Sequence, residues 1–220
     1  MLDWSAQDAG GAFGRQRQAG GTGLAAATRL ATDRGWRQAA ELVPGDRVVT
    51  FDSGLQPLRS VCRRVLDVQQ GADGPLLRLP EGAAGNRDAL VVAAGQGVML
   101  ESDLAEAAYG DPFALVAADA LRALPGVAEL RPETPFPVVD LAFADDEIVF
   151  AEGQALVLCR RAGEGAGARP AGPGPGPERY AMLGAEAARV LVAALAPGGA
   201  PGALFPACGP LPCAPPAGTA

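Results

Sequence analysis

GLAAATRLATDRGWRQAAELVPGDRVVTFDSGLQPL, residues 23–58, is the stretch that decides the fold. Its apolar residues come in short runs broken by turn signals, a pattern that points to strands. ATRLAT (27–32) alternates apolar and polar side chains, so one face of it can be buried. Asp33-Arg34-Gly35 then turns the chain. Val43-Pro44-Gly45-Asp46 is a second turn: Pro44 presets φ, Gly45 is free to take positive φ, and the Asp46 carboxylate caps it. RVVTF (47–51) reads as a strand, Asp52-Ser53-Gly54 as a hairpin turn, and Leu55–Val68 as one long strand. Val61, Val65 and Val68 also fit a helical period. Trp36 is the large aromatic expected to anchor a small core in an Ala-rich chain.

The same pattern continues downstream. PLLRLP (75–80) is a strand and EGAAGNRDA (81–89) a loop carrying Asn86, the one Asn of the chain. LVVAAGQGVML (90–100) reads as two strand pieces around a glycine bend. Residues 102–124 change to a helix-like pattern, with Ser102 and Asp103 as caps and VAADALRAL rich in Ala and Leu. PFPVVDLAF (135–143) and IVFAEGQALVLC (148–159) predict a closing pair of strands. The expected fold is mainly β and compact, with short helical insertions, a C-terminal helix and disordered ends.

That pattern divides the chain into a flexible arm (1–21), a β domain (22–161), a Pro/Gly linker (162–178), an amphipathic helix (179–196) and a disordered tail (197–220). The helix places Tyr180, Leu183, Ala187, Val190, Leu191 and Leu195 near one face, which either docks on the β domain or pairs with a partner.

Charge and composition exclude several function classes. The formal charge of −7 disfavours nucleic acid, which is bound through clustered positive charge. A run of about 18 apolar residues would be needed for a membrane-spanning helix, and none is present. The N-terminus lacks the charged and apolar regions of a secretory signal, so the chain is read as cytoplasmic or exported by a leaderless route. Cys62 and Cys159 are expected as core packing, while Cys208 and Cys213 lack the neighbours a zinc site needs. No cofactor or metal is expected, and a protein partner is left open. The chain also contains no His, the side chain whose unperturbed pKa suits it to moving protons at neutral pH.

Three blocks resemble the Hint (Hedgehog/intein) domain family in its bacterial stand-alone form. The first is residues 23–58, with Leu42-Val43-Pro44-Gly45-Asp46-Arg47-Val48 in place of the family's Leu-x-x-Gly-Asp-x-Val. The second is LVVAAGQGVMLES (90–102), where the family carries a Thr/Ser-x-x-His motif. The third is VVDLAFADDEIVFAEGQAL (138–156), where many bacterial relatives have a His before the Glu-Ile-Val-Phe strand. The resemblance implies a self-cleaving ancestor, in which a Cys attacks the preceding carbonyl and imidazoles handle the protons.

Carried over position by position, the resemblance implies that the reactive side chains are gone. The nucleophile falls on Gly23, the following Gly on Ala27, and Thr28 is kept. The Thr/Ser and His of the second block fall on Ala93 and Gln96, and the His of the third on Asp146. No catalytic residue is therefore expected, and a pseudoenzyme serving as scaffold or partner-binding module is the leading reading. One alternative is an active domain that cuts near Thr22/Gly23 through the Thr22 hydroxyl. Another is a cation site at Asp145, Asp146 and Glu147, set against a hairpin turn with solvated charges. Asn86, in a mid-domain loop, cannot be the terminal cyclising Asn of splicing.

Overall fold

A computed structural model describes residues 21–66, 74–163 and 179–196. Most of the arm, the linker and the tail, with Val68, Cys208 and Cys213, lie outside these residues. In chain order the strands are β1 (Leu24–Ala25), β2 (Arg29–Thr32), β3 (Gly35–Gln38), β4 (Arg47–Thr50), β5 (Gly54–Pro57), β6 (Ser60–Leu66) and β7 (Leu76–Leu79). They continue with β8 (Leu90–Ala93), β9 (Gly97–Glu101), β10 (Phe113–Ala117), β11 (Ala128–Leu130), β12 (Phe136–Ala142), β13 (Glu147–Ala151) and β14 (Ala155–Cys159). Helix α1 (Asp103–Tyr109) follows β9, and α2 (Ala185–Leu195) ends the described chain. No described helix is long and apolar enough to cross a membrane.

The strands form two sheets. One has the order β11-β7-β8-β1-β12-β6, the other β10-β9-β14-β13-β2-β4-β5 with β3 attached to β2. Apolar residues of both sheets meet in one main core, including Leu24, Val92, Val139 and Leu141 from the first and Leu30, Val98, Val116, Val149 and Val157 from the second. β13 and β14 are apolar on both faces because both are covered. Val149 and Val157 face this core, while Ile148, Phe150, Leu156 and Leu158 join a second cluster on the other side of the sheet.

Turn chemistry is local. Asp46 accepts the Val43 N–H at 2.9 Å across the Pro44-Gly45 turn, where Gly45 has φ +96°. Arg37 adds a second bond to the same carboxylate oxygen at 2.9 Å. Ser102 caps α1 by accepting the Leu104 N–H at 3.0 Å, and Gly110 closes it with φ 78°. Asn86 is a buried linchpin of its loop: its Oδ1 accepts from Ala84, and its Nδ2 donates to the Pro80 and Asp88 carbonyls.

Several sequence expectations need correction. Trp36 does not anchor the core: it is 41% exposed on β3, a strand paired only with β2. Leu55–Val68 is not one strand but β5 and β6, separated where the Leu58 side chain turns into the core. The helix-like stretch 102–124 contains β10 between α1 and a short 3-10 turn at Ala118–Ala123, because FALVA pairs along all of β9. The closing pair of strands is three, since Glu152 and Gly153 split 148–159 into the β13–β14 hairpin. The C-terminal helix spans Ala185–Leu195, not 179–196, because Met182 and Leu183 are held extended against β10. Its inner face is Ala188, Leu191 and Val192, and Val190 points outward at 67% exposure. Cys159 packs in the core as expected, but Cys62 is only half buried, paired across the sheet with Asp140.

β1 is the element that positions the site. It lies between β8 and β12, so the chain enters the domain as a central strand.

Candidate functional site

Residues 21–23 lead into β1 and are held to their neighbours by hydrogen bonds from backbone and side chain. The Gly21 carbonyl accepts from the Gly95 N–H at 3.1 Å, and the Gly23 carbonyl from the Ala93 N–H at 2.9 Å. The Gly23 N–H donates to Gln96 Oε1 at 3.0 Å. Gln96 is 4% exposed, and its amide nitrogen donates to the Leu158 carbonyl at 2.7 Å and that of Gly97 at 3.3 Å. One buried side chain thus ties the entering strand to β14.

On the other side stands Asp140, in the middle of β12 and 5% exposed. Its Oδ1 accepts the Thr22 hydroxyl at 2.8 Å and its Oδ2 the Arg64 Nε at 2.7 Å. Arg64 Nη2 in turn donates to the Thr22 carbonyl at 2.5 Å. Arg64 reaches this point because β6 runs antiparallel to β12 with Cys62 opposite Asp140 and Arg64 opposite Val138. A buried carboxylate is tolerable only when paired and hydrogen-bonded, and here both conditions hold.

Thr22, Gln96, Asp140, Cys159 and Arg160 share a small cleft with Leu24, Val139 and Leu158. It has room for little more than a water molecule. Cys159 lines it, but burial pushes the thiol pKa far upward, with Asp140, Asp146 and Glu147 adding to the effect. That thiol is protonated at neutral pH and a poor nucleophile.

The sequence-derived positions fall in three places. Gly23, Ala93 and Gln96 converge, through the Ala93 and Gly23 backbones and the Gln96 side chain. Asp146 stands one residue removed: its carboxylate binds Arg160 Nη1 and the Arg161 N–H, each at 2.8 Å, and Arg160 lines the cleft. Thr28 lies apart, in the turn after β1, where its N–H donates to Ala25 and its carbonyl accepts from Ala39. Two carboxylates of the acidic run are paired with arginines. Asp146 is held by Arg160 and Glu147 by Arg179, and among the described residues no three Asp, Glu, His or Cys side chains could hold a metal.

Asp140 and Arg64 escaped the sequence reading. A carboxylate inside the apolar run VVDLAF was a signal for Asp140, since a charge there must find a buried partner. Nothing in the sequence pointed to Arg64, whose role depends on the register of two strands far apart in the chain.

A family model described as a Hint domain matches residues 22–156. The chain belongs to the Hint domain family. Among solved structures this Hint domain is similar to a bacterial intein-like domain from Clostridium thermocellum, at 14% identity and a TM-score of 0.47, covering 64% of this chain and 99% of that one. It is also similar to the gp41-1 intein, at 10% identity and a TM-score of 0.42, over 64% of this chain and 99% of that one. A third is a splice-inactive variant of the AceL NrdHF class 3 split intein, at 10% identity and a TM-score of 0.44 with the same coverage. No curated protein matches the chain.

Proposed function

We propose that this Hint domain does not cut its own backbone and serves as a scaffold that keeps its N-terminal arm attached, in the manner of a partner-binding module. The observation that carries this reading is the Gln96–Gly23 bond. Acyl transfer at residue 23 needs a nucleophilic side chain and a group to carry protons. Residue 23 has no side chain, and its N–H is fixed to an amide whose own hydrogens are spent on Leu158 and Gly97. Gln96 neither gains nor loses a proton near neutral pH. The polar network supports a strand locked in place.

The Thr22–Asp140 bond favours a second reading. Attack of Thr22 Oγ1 on the Gly21 carbonyl carbon would break the Gly21–Thr22 C–N bond, leave an ester, and move the hydroxyl proton to the freed amine. The Gly95 N–H, 3.1 Å from the Gly21 oxygen, would stabilise charge on it. Against this, Asp140 is already held by Arg64 and by the Thr22 hydroxyl, and the chain offers no imidazole to protonate the leaving amine.

Intact-mass analysis of the full chain separates the two. After prolonged incubation with thiol, and separately with hydroxylamine, the scaffold reading expects one unchanged mass. A hydroxylamine-released fragment ending at Gly21, absent in Thr22→Val, would establish the ester route and overturn it.

A further inference from the structure

β10 is the end strand of the larger sheet, and its outer edge is taken by the segment just before α2. Met182 forms a parallel bridge with Leu115, and the Leu183 N–H donates to the Leu115 carbonyl at 2.8 Å. The Met182 side chain packs with Met99, Leu115, Ile148, Leu156 and Leu158 on the outer face of the sheet. Ahead of it, the Tyr180 hydroxyl donates to Asp52 at 2.6 Å, and Arg179 reaches both Asp52 and Glu147 at 3.1 Å.

We infer that this edge is a strand-acceptor groove for an extended Arg-Tyr-Ala-Met-Leu segment, filled by the chain's own residues 179–183 and able to take the same segment from a second copy of this chain. Strand addition gives affinity through main-chain bonds, and side-chain pockets give selection. Both parts are present. The main-chain part is the Leu115 edge. The selective part is a carboxylate pair followed by an apolar floor, and it fixes the order of the guest's side chains: cation, phenol, then methionine.

The acidic end makes that order a requirement. Glu147 is 4% exposed and its Oε2 has no hydrogen-bond partner, while Oε1 is bound to Arg179. A buried carboxylate stripped of its cation is costly, so an occupant without a basic residue at that point is rejected. A second copy carries the one sequence whose fit is evident.

The segment is covalently tethered through residues 164–178, rich in Gly and Pro. A short tether holds its guest at an effective concentration in the millimolar range, so the chain's own segment wins unless its grip is weakened. This inference concerns the β10 edge and stands apart from whether the backbone is cut at residue 22.

The test uses full-length Met182→Asp, in which a charge expels the tethered segment from the apolar floor, and a fluorescein-labelled peptide of residues 179–196. Fluorescence polarisation is expected to show the peptide binding this variant about tenfold or more tighter than the wild-type chain. The same peptide carrying Met182→Asp is expected not to bind. Should the variant fail to fold, Arg179→Ala with Tyr180→Ala releases the segment while sparing the apolar floor and takes its place. A folded variant of either kind that binds the peptide no better than wild type overturns the inference.

Discussion

Thr22 donates its hydroxyl to Asp140 at 2.8 Å, joining the first residues of the domain to the middle of β12 across 118 positions of sequence. The same carboxylate holds Arg64, whose guanidinium returns to the Thr22 carbonyl. The three residues close a ring of hydrogen bonds around the entering strand. Removing the carboxylate takes away a close ion pair of the guanidinium, whose side chain is 16% exposed, and leaves the Thr22 hydroxyl without its acceptor. Asp140→Ala is expected to cost about 3 kcal/mol in urea unfolding, with the slope unchanged. Asp140→Asn keeps an acceptor for Thr22 and is expected to cost less. An unchanged midpoint for both would mean the ring contributes nothing to stability.

Placing a cysteine at residue 23 is not expected to start backbone cleavage. Gly23 has φ +134°, a conformation that L side chains rarely adopt, and a Cβ there would lie 3.3 Å from the Val138 Cβ. Gly23→Cys is expected to destabilise the fold by about 1–3 kcal/mol. It is also expected to leave a single intact mass after incubation with thiol. A thiol-dependent fragment ending at Thr22 would show that the site needs only its nucleophile to work.

What could be read from the sequence follows from what is local. Turns at Asp33–Gly35 and Val43–Asp46, and strands such as Arg47–Thr50, are written in neighbouring residues, and the structure has them there. Gly23, Ala93 and Gln96 were reached through the family resemblance, and they do meet. β10 was hidden because FALVA, a short apolar run beside Ala-rich turns, suits a buried strand and a buried helix equally. Trp36 was misplaced because burial depends on what packs over a hairpin, and nothing in its neighbours' identity says that β3 pairs with β2 alone. Asp140 and Arg64 meet through strand register, which is a property of the finished sheet.

The Val43–Asp46 turn carries a pH dependence of known sign. The Val43 N–H, and then Arg37, hold the Asp46 carboxyl below the usual carboxylate range. A group with a depressed folded pKa stabilises the native state above its unfolded pKa, and that contribution is lost as pH falls through the folded value. Asp46→Asn is therefore expected to lower stability at neutral pH and to flatten the acid limb of the stability curve. Chemical denaturation measured from neutral pH down through the carboxylate range checks this. Equal acid sensitivity in both proteins would place the pH dependence elsewhere.

Gly97 is where the fold and the site share one constraint. A Cβ added there would lie 2.8 Å from the Leu158 Cβ, closer than real contacts allow, and Leu158 is the residue whose carbonyl receives the Gln96 amide at 2.7 Å. Gly97→Ala must push β14 away from β9, and the displacement falls on the bond that steadies Gln96 and, through it, Gly23. The expected cost is about 2 kcal/mol of stability, the ordinary penalty of overpacking. Amide exchange at Gly23 is expected to quicken, because its acceptor is loosened. Removing the obstruction tests the cause: in Gly97→Ala with Leu158→Gly, which takes away the opposing Cβ, the two costs are expected to fall short of additivity by more than about 0.5 kcal/mol. Strict additivity would mean that Gly97 is needed for its backbone freedom and not for the close approach of the two strands.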